Sequence, residues 1–271
     1  MKKRKLKNVI FLGRKSGASE ALKFLIESDI KVLCVVAPEN ERYSPSLKST
    51  SENYGIPVYT GDKEIYRMIE RKDPAVGDVD LVISYLFWKR IKAPLINLGH
   101  LGCVNFHPAP LPDYKGRAGY NTAIIDQRKD FGVSAHFVDS EEFDAGPIIK
   151  VLRFPINQEK ETALSLEQKS QKKLSELFRE VIKIFREKEE IPTTANVGGL
   201  YLSSEELEKL KIIDPAKDAP ELIDRKIRAF FFPPYPGAKI EIGGRYFTLV
   251  NEQILDYLHR LIAGEEKNRG D

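Results

Sequence analysis

The chain has 271 residues, of which 42% are hydrophobic and 31% charged, and its formal net charge is +3 at pH 7. These values are typical of a soluble globular protein with one large domain, or one large domain and a small appendage. The charge is too small to indicate a nucleic-acid partner, and no apolar run reaches the roughly 18 residues that a membrane span needs.

The chain begins with the basic run MKKRKLK (1–7) and contains two cysteines. We expect the basic run to be a solvated end rather than a phosphate-binding segment, and the short apolar run behind it does not make a secretory signal. Cys34 and Cys103 lie in apolar, strand-like runs, which predicts two reduced core thiols rather than a disulfide or metal ligands. Reduced cysteines favour a cytoplasmic protein.

Apolar runs alternate with helical patterns through the first 107 residues. The alternation predicts a Rossmann-like α/β fold, doubly wound around a mostly parallel sheet with right-handed crossovers. Strands are predicted at 8–13, 30–36, 56–60, 80–85 and 102–107, and helices at 18–28, 47–55, 62–72 and 89–99.

The pattern changes beyond residue 130, where two strands joined by a loop are predicted. The elements predicted from there on are strands at 131–139 and 146–156, a long amphipathic helix from Glu161, a linker at 193–199, a helix at 218–229, a rigid run at 230–238 and a hairpin turning on Gly243-Gly244. We therefore divide the chain into a main domain, residues 1–195, and a small α+β C-terminal domain, residues 196–271.

The first turn, GRKSG (13–17), lies between a predicted strand and a predicted helix, where dinucleotide-binding proteins carry their phosphate loop. It is not G-x-G-x-x-G, and Ala37-Pro38 rather than an acidic residue follows the second strand. A plain glycine turn is favoured over a nicotinamide site. Arg14 and Lys15 beside a helix N-terminus leave the binding of some anion open.

Asn105 and His107 end the predicted strand 102–107, and ligands of open α/β sheets bind beyond such strand ends. Two residues apart, their side chains share one face. An amide can stabilise an oxyanion and an imidazole can transfer a proton, while the prolines that follow hold the histidine in place. Asp144, between two predicted strands, can orient the imidazole. A structural hydrogen-bonded pair and an ordinary turn aspartate are the alternatives.

Four segments together resemble the folate-dependent formyltransferase family: Asn105-x-His107, LPDYKGRAGYN (111–121), DAG (144–146) and IRAFFFPPYPGA (227–238). The order of elements is similar from about residue 8 to residue 156. The resemblance implies the formyltransferase fold, catalysis by Asn105, His107 and Asp144 without a metal, and 10-formyltetrahydrofolate as the formyl donor. Ala109-Pro110-Leu111-Pro112 departs from the Ser-Leu-Leu-Pro of many members, which leaves the formyl acceptor open.

The resemblance also implies where the pterin ring binds, between the loop after strand 80–85 and the loop that carries Asp144. A flat heterocycle requires apolar walls and a few backbone hydrogen bonds. The alternative for the first loop is that it binds no ligand and its residues only pack at the end of the strand. The implied residues are Tyr85, Leu86, Phe87, Trp88, Val138, Asp139, Ser140 and Phe143.

Of the acceptors that the family uses, a nucleotide-linked amino sugar fits this chain best. Only about 75 residues follow the predicted linker, they include acidic runs, and no basic stripe for RNA is visible. Lys115 and Arg117 are expected at the diphosphate, and Tyr120 and Asn121 at the sugar or base, although a plain exposed turn is the alternative. Methionyl-tRNA formylation and a non-catalytic folate- or nucleotide-binding relative stay open.

The mechanism expected from the resemblance is direct acyl transfer. The unprotonated sugar amine attacks the formyl carbon, Asn105 and protonated His107 stabilise the tetrahedral oxyanion, and Asp144 assists proton movement. We expect a small-molecule substrate, no nucleic acid, no membrane and a homodimer formed through the C-terminal region. The base, the sugar and the position of the amine are left open.

Overall fold

A computed structural model describes residues 5–41 and 44–263, so most of the basic N-terminal run, residues 1–4, lies outside the described residues. The elements are, in chain order, β1 (Asn8–Gly13), α1 (Lys15–Glu27), β2 (Lys31–Ala37), α2 (Leu47–Asn53), β3 (Val58–Thr60), α3 (Lys63–Glu70), β4 (Leu81–Tyr85), α4 (Ala93–Ile96), β5 (Cys103–His107), β6 (Tyr114–Lys115), α5 (Gly119–Ile125), β7 (Asp130–Phe137), β8 (Ile148–Pro155), α6 (Ala163–Glu187), β9 (Leu200–Tyr201), α7 (Ser204–Leu210), β10 (Ile212–Ile213), α8 (Pro220–Ala229), β11 (Lys239–Ile242), β12 (Arg245–Thr248) and α9 (Glu252–Ala263). None of the helices within the described ranges is both long and apolar enough to cross a membrane.

The predicted doubly wound sheet is confirmed. Seven strands lie in the order β3-β2-β1-β4-β5-β7-β8. β1 to β5 pair in parallel, and β7 runs antiparallel to β5, with Asn105 opposite His136 and His107 opposite Ser134. The strand order reverses between β1 and β4, which is where open α/β sheets bind their ligands.

The described residues form two compact units. The first unit comprises the chain up to residue 116 together with 132–153 and 170–200, and the second comprises 117–131, 154–169 and the chain from 201 onward. The division at residue 195 stays a prediction.

Burial on both faces of the central sheet holds the first unit together. Because side chains alternate along a strand, Ile10 and Leu12 pack on one face while Phe11 packs on the other. On that second face Phe11, Tyr85, Phe106 and Phe178 form an aromatic cluster, with ring centroids 4.8–6.5 Å apart along its contacts.

The two cysteines are free and buried, as predicted. Burial raises the pKa of both the Cys34 and the Cys103 thiol to about 12, so neither carries a thiolate near neutral pH.

The anion at the first turn comes from the chain itself. The Glu41 carboxylate accepts hydrogen bonds from the backbone N–H of Lys15 at 2.6 Å and of Leu47 at 2.7 Å, at the first residues of α1 and α2. Helix N-termini leave such N–H groups unpaired and favour a negative charge. The open question of an anion beside GRKSG is thus answered by an internal carboxylate.

Three predictions from the sequence differ from the structure. Of the helix expected at 89–99, only Ala93–Ile96 is helical, because Pro94 fits only the first turn of a helix. The segment 114–121, for which a plain exposed turn was the alternative to a binding role, contains β6 and the start of α5. The linker expected at 193–199 is fixed, since Thr194 exchanges two backbone hydrogen bonds with Ile148, at 2.8 and 2.9 Å.

The second unit contains α5, α8, α9 and the three-stranded sheet β10-β11-β12. The predicted hairpin is confirmed, with Gly243 and Gly244 at φ +57° and +78°, where glycine is favoured. Glu161 is buried and paired with Lys169 at 2.7 Å, and its carbonyl accepts from the buried Arg228 at 2.9 Å.

Candidate functional site

The carboxyl end of β5 brings Asn105 and His107 to one face, and the neighbouring strand and loop add His136 and Asp144. The Asn105 amide nitrogen lies 3.1 Å from Nε2 of His136 and 3.2 Å from Oδ1 of Asp144. The same Oδ1 lies 3.4 Å from Nδ1 of His107 and 3.3 Å from Nε2 of His136. One carboxylate oxygen therefore meets three side chains.

The amide of Asn105 has a fixed orientation. The Ser84 hydroxyl, on β4, donates to its Oδ1 at 2.7 Å. This bond and the neighbouring carboxylate together turn the NH₂ group of Asn105 toward Asp144, which makes Asn105 a neutral donor at the strand end.

Asp144 is buried and adopts φ +51°, a left-handed conformation uncommon outside glycine. Its second oxygen, Oδ2, accepts from the backbone N–H of Gly116 at 2.9 Å. Burial alone would raise the pKa of Asp144, but His107, His136 and the Gly116 N–H lower it well below its ordinary value of 3.8. The carboxylate is therefore ionised near neutral pH.

His107 is buried, and both nitrogens of its ring have a partner. Nε2 lies 3.0 Å from the carbonyl oxygen of Tyr114, which can only accept, so Nε2 donates and Nδ1 faces Asp144. Burial lowers the pKa of His107 below 6.5, and the Asp144 carboxylate offsets part of that effect. Burial thus favours the neutral ring in the free protein. Protonation of His107 while it stabilises the oxyanion stays a prediction.

His136 is the member of the site that the sequence analysis missed. It is buried, its Nε2 lies beside Asn105 and Asp144, and its Nδ1 lies 2.8 Å from the carbonyl oxygen of Phe137. The only signal was a histidine in the otherwise apolar strand FGVSAHF, and its relevance depends on the β5–β7 register.

Acid is expected to destabilise the protein through His107 and Asp144. In the unfolded chain His107 takes up a proton near pH 6.5, whereas in the folded protein it does so only at lower pH, so stability falls as pH drops below 6.5. The lowered pKa of Asp144 has the same sign, because the stability it contributes above pH 3.8 is lost as pH falls further. Urea unfolding between pH 2.5 and 7.5 measures both effects. His107→Gln should remove the first decrease, and constant stability from pH 7.5 to 5 would contradict the prediction.

Residues 7–182 match the family model described as "Formyl transferase". The chain belongs to the formyl transferase family. Among curated relatives, GDP-perosamine N-formyltransferase of Brucella melitensis is 33% identical over 183 residues, which cover 68% of this chain and 69% of that one. Methionyl-tRNA formyltransferase of Citrifermentans bemidjiense is 26% identical over 238 residues, covering 85% and 73%. The resemblance inferred from the sequence motifs is confirmed.

Solved structures of formyltransferases share the fold. A 4-N formyltransferase from Francisella tularensis has a TM-score of 0.75 at 22% identity, covering 92% of this chain and 98% of that one. The N-formyltransferase from Helicobacter canadensis, solved with folinic acid and dTDP-3-aminofucose, has a TM-score of 0.69 at 22% identity, covering 88% and 85%. The formyltransferase fold expected from the sequence is therefore confirmed.

The loop after β4, which the sequence places at the pterin, has a buried part and an accessible part. Tyr85 is fully buried in the aromatic cluster, so its side chain belongs to the core rather than to a ligand wall. Leu86 is buried at φ +55°, and its carbonyl accepts from Arg14 Nε at 2.8 Å. Phe87 and Trp88 are half-buried, with ring centroids 4.7 Å apart.

The second loop expected at the pterin is more open. Val138 is half-buried, whereas Asp139 and Ser140 are exposed. Phe143 is 45% exposed and lies under the Arg90 guanidinium at 5.0 Å. Val138 and Asp139 also line a cleft of about 280 Å³, together with Ile96, Asn97, Gly102, Cys103, Phe137 and Pro147. Neither loop, nor any other part of the described chain, presents a cluster of three or more side chains suited to a metal ion.

The four residues expected at the nucleotide sugar fall into different units. Lys115, in the first unit, is half-buried, and its Nζ lies 3.5 Å from the carbonyl oxygen of Asn196. In the second unit Arg117 is exposed, the Tyr120 ring packs on Phe131, and the Asn121 amide donates to the Ala229 carbonyl. Their binding roles stay predictions.

Proposed function

We propose that the protein transfers the formyl group of 10-formyltetrahydrofolate to the amine of a nucleotide-linked amino sugar. The observation that carries this proposal is the cluster of Asn105, His107 and Asp144 at the carboxyl end of β5. The cluster combines a neutral donor, a neutral imidazole and an ionised carboxylate. Oδ1 of Asp144 lies 3.2 Å from the Asn105 amide nitrogen and 3.4 Å from Nδ1 of His107. These groups can stabilise an oxyanion and move a proton, and both actions accelerate acyl transfer to an amine.

In the mechanism that fits this geometry, the amine nitrogen attacks the formyl carbon and forms the new C–N bond. The NH₂ group of Asn105 donates to the oxyanion that develops on the formyl oxygen. Neutral His107 accepts the proton that the amine loses, and the Asp144 carboxylate stabilises the resulting imidazolium. The imidazolium then donates this proton to the folate nitrogen as its bond to the formyl carbon breaks.

Asn105→Ala is expected to lower kcat about 100-fold, because losing one oxyanion donor typically costs 10²–10³. Steady-state rates at saturating donor and acceptor measure the effect. The exposed Asn53→Ala, in the same unit, is the matched control and should leave the rate unchanged. A rate for Asn105→Ala within threefold of wild type would rule out the oxyanion role.

The relatives support the choice of donor and acceptor. The identity to GDP-perosamine N-formyltransferase, 33%, exceeds the 26–29% found for methionyl-tRNA formyltransferases. The Helicobacter canadensis structure holds folinic acid and an amino-sugar nucleotide on the same fold. These findings favour a sugar nucleotide as the acceptor and keep methionyl-tRNA as the second candidate.

The deciding experiment supplies 10-formyltetrahydrofolate with a panel of nucleotide-linked amino sugars and with methionyl-tRNA, and follows the release of tetrahydrofolate. Release with a sugar nucleotide and none with tRNA is the expected result. Release with tRNA alone would move the protein to the second candidate. Donor binding without release for any acceptor would favour a non-catalytic relative.

The predicted ligand residues complete this proposal. Phe87, Trp88, Val138, Asp139, Ser140 and Phe143, with the backbone of Tyr85 and Leu86, are proposed to surround the pterin. Lys115 is proposed to meet the acceptor's diphosphate, because it is a cation beside the Gly116 N–H that holds Asp144. Arg117, Tyr120 and Asn121 are proposed as further acceptor contacts.

A homodimer and a cytoplasmic location also belong to the proposal. Ile242 and Phe247 lie on one face of the β11–β12 hairpin and are 60% and 49% exposed, which is typical of a contact surface. Light scattering is expected to show a dimer that Phe247→Glu dissociates, and a monomeric wild type would contradict it. The free, buried Cys34 and Cys103 support a reducing compartment.

A further inference from the structure

The segment from Thr194 to Leu200 lies across both loops that shape the site, and we call it the strap. At one end Thr194 pairs with Ile148, on the strand that follows the Asp144 loop. At the other end the Leu200 N–H donates to the Asp113 carbonyl at 2.9 Å, on the loop that follows His107. The strap therefore ties the two loops together within the first unit.

Asn196, in the middle of the strap, contacts the Asp144 loop directly. Its side-chain nitrogen donates to the carbonyl oxygens of Asp144 at 2.8 Å and of Gly146 at 2.9 Å. Both partners can only accept, so the NH₂ group must face them. Its Oδ1 is buried with no hydrogen-bond partner among the described residues. A buried unpaired acceptor is costly, and such costs are concentrated at functional sites.

The two bonds hold the backbone of Asp144 in a conformation that it would otherwise rarely adopt. At φ +51° the residue is in the left-handed region, and its carbonyl is fixed by Asn196 while its Oδ2 is fixed by Gly116. With both ends held, its Oδ1 reaches Asn105, His107 and His136.

We propose that Asn196 is a positioning residue of the formyl-transfer site, whose amide holds Asp144 so that the carboxylate contacts Asn105 and His107. The proposal rests on the function proposed above for that site. It assigns a catalytic contribution to a segment outside both site loops, in the strap.

Asn196→Asp is nearly isosteric but places a carboxylate against two carbonyl oxygens, and we expect a loss in kcat of about 100-fold. Asn196→Ala removes the bonds without repulsion and is expected to lose about tenfold. The KM values for both substrates should change less than threefold. Val197→Ala, one residue along the strap and 79% exposed, is the control and should match wild type.

The pH profile separates positioning from a general effect on folding. Protonation of the carboxyl introduced by Asn196→Asp restores one donor, so its activity relative to wild type should rise as pH falls, while that of Asn196→Ala should not. Activities of both variants within twofold of Val197→Ala would overturn the proposal. So would losses that follow the melting temperature alone, with an unchanged pH profile.

A measurement without substrate keeps this inference separate from the proposed function. If Asn196 positions the carboxylate beside His107, Asn196→Ala should lower the NMR titration midpoint of the His107 ring by about half a pH unit or more. The reason is that the Asp144 carboxylate would no longer be held next to the ring. Val197→Ala should leave that midpoint unchanged. An unchanged midpoint in Asn196→Ala would overturn the inference even if transfer to a sugar nucleotide is observed. A changed midpoint would support it even if every acceptor fails.

Discussion

His107→Ala is expected to lower kcat about 10³-fold while the donor and the acceptor still bind. Positioned general acid–base groups typically contribute 10²–10⁴ to rate, and His107 is the neutral imidazole that can take the proton of the attacking amine. The side chain lies beside Asp144 and the Tyr114 carbonyl, so its removal leaves a buried space shaped for an imidazole. Single-turnover rates with the preferred acceptor measure the loss.

Two comparisons make the His107 prediction specific. His100→Ala removes an exposed histidine of the same unit and should leave turnover at the wild-type level. Added imidazole should restore part of the activity of His107→Ala, because the small ring can occupy the space of the deleted side chain. Turnover by His107→Ala within tenfold of wild type, with the fold intact by circular dichroism, would show that another group transfers the proton.

Asp144→Asn is expected to lower kcat by about as much as His107→Ala, near 10³-fold, although it only replaces one side-chain oxygen with a nitrogen. Both carboxylate oxygens accept hydrogen bonds, Oδ1 from Asn105 and Oδ2 from the Gly116 N–H. An amide offers one acceptor, so its NH₂ group would face one of these donors. The negative charge that stabilises protonated His107 would also be lost. In the His–Asp pair of a Ser-His-Asp triad, the same Asp→Asn change lowers kcat about 10⁴-fold, because the histidine then takes the wrong tautomer.

Kinetics at several pH values distinguish this effect from simple misfolding. Without the carboxylate, the pKa of His107 should fall further, so the acid limb of kcat/KM should move to lower pH. Glu142→Gln, an exposed acid in the same loop, should change neither the rate nor the profile. Equal pH profiles for Asp144→Asn and wild type would show that the carboxylate does not interact with His107 during turnover.

The part of the site that lies on one strand could be predicted from the sequence. Asn105 and His107 are two residues apart on a strand whose apolar run and proline boundary were readable, and alternation puts them on one face. His136 could not be found in this way, because its place opposite Asn105 depends on pairing between β5 and β7, which is set by distant contacts.

Asn196 was missed for a different reason. Apart from Val197, its neighbours are small, polar or glycine residues, a composition typical of a linker, and its role comes from two bonds to backbone carbonyls. Such bonds leave no pattern in either segment. Helix α7 is the opposite case, because it begins with a capping box of Ser203 and Glu206 that is readable in the sequence, although no helix was predicted there.

Glu41 gives the corner where α1 and α2 begin a negative group of its own. In a dinucleotide enzyme the first helix meets the negative charge of a bound cofactor, so the charge balance of that corner changes when the cofactor leaves. Here the side chain of Glu41 binds the first residue of both α1 and α2. This corner therefore obtains its negative group from the chain itself, and α1 and α2 begin on a carboxylate that does not leave with a product.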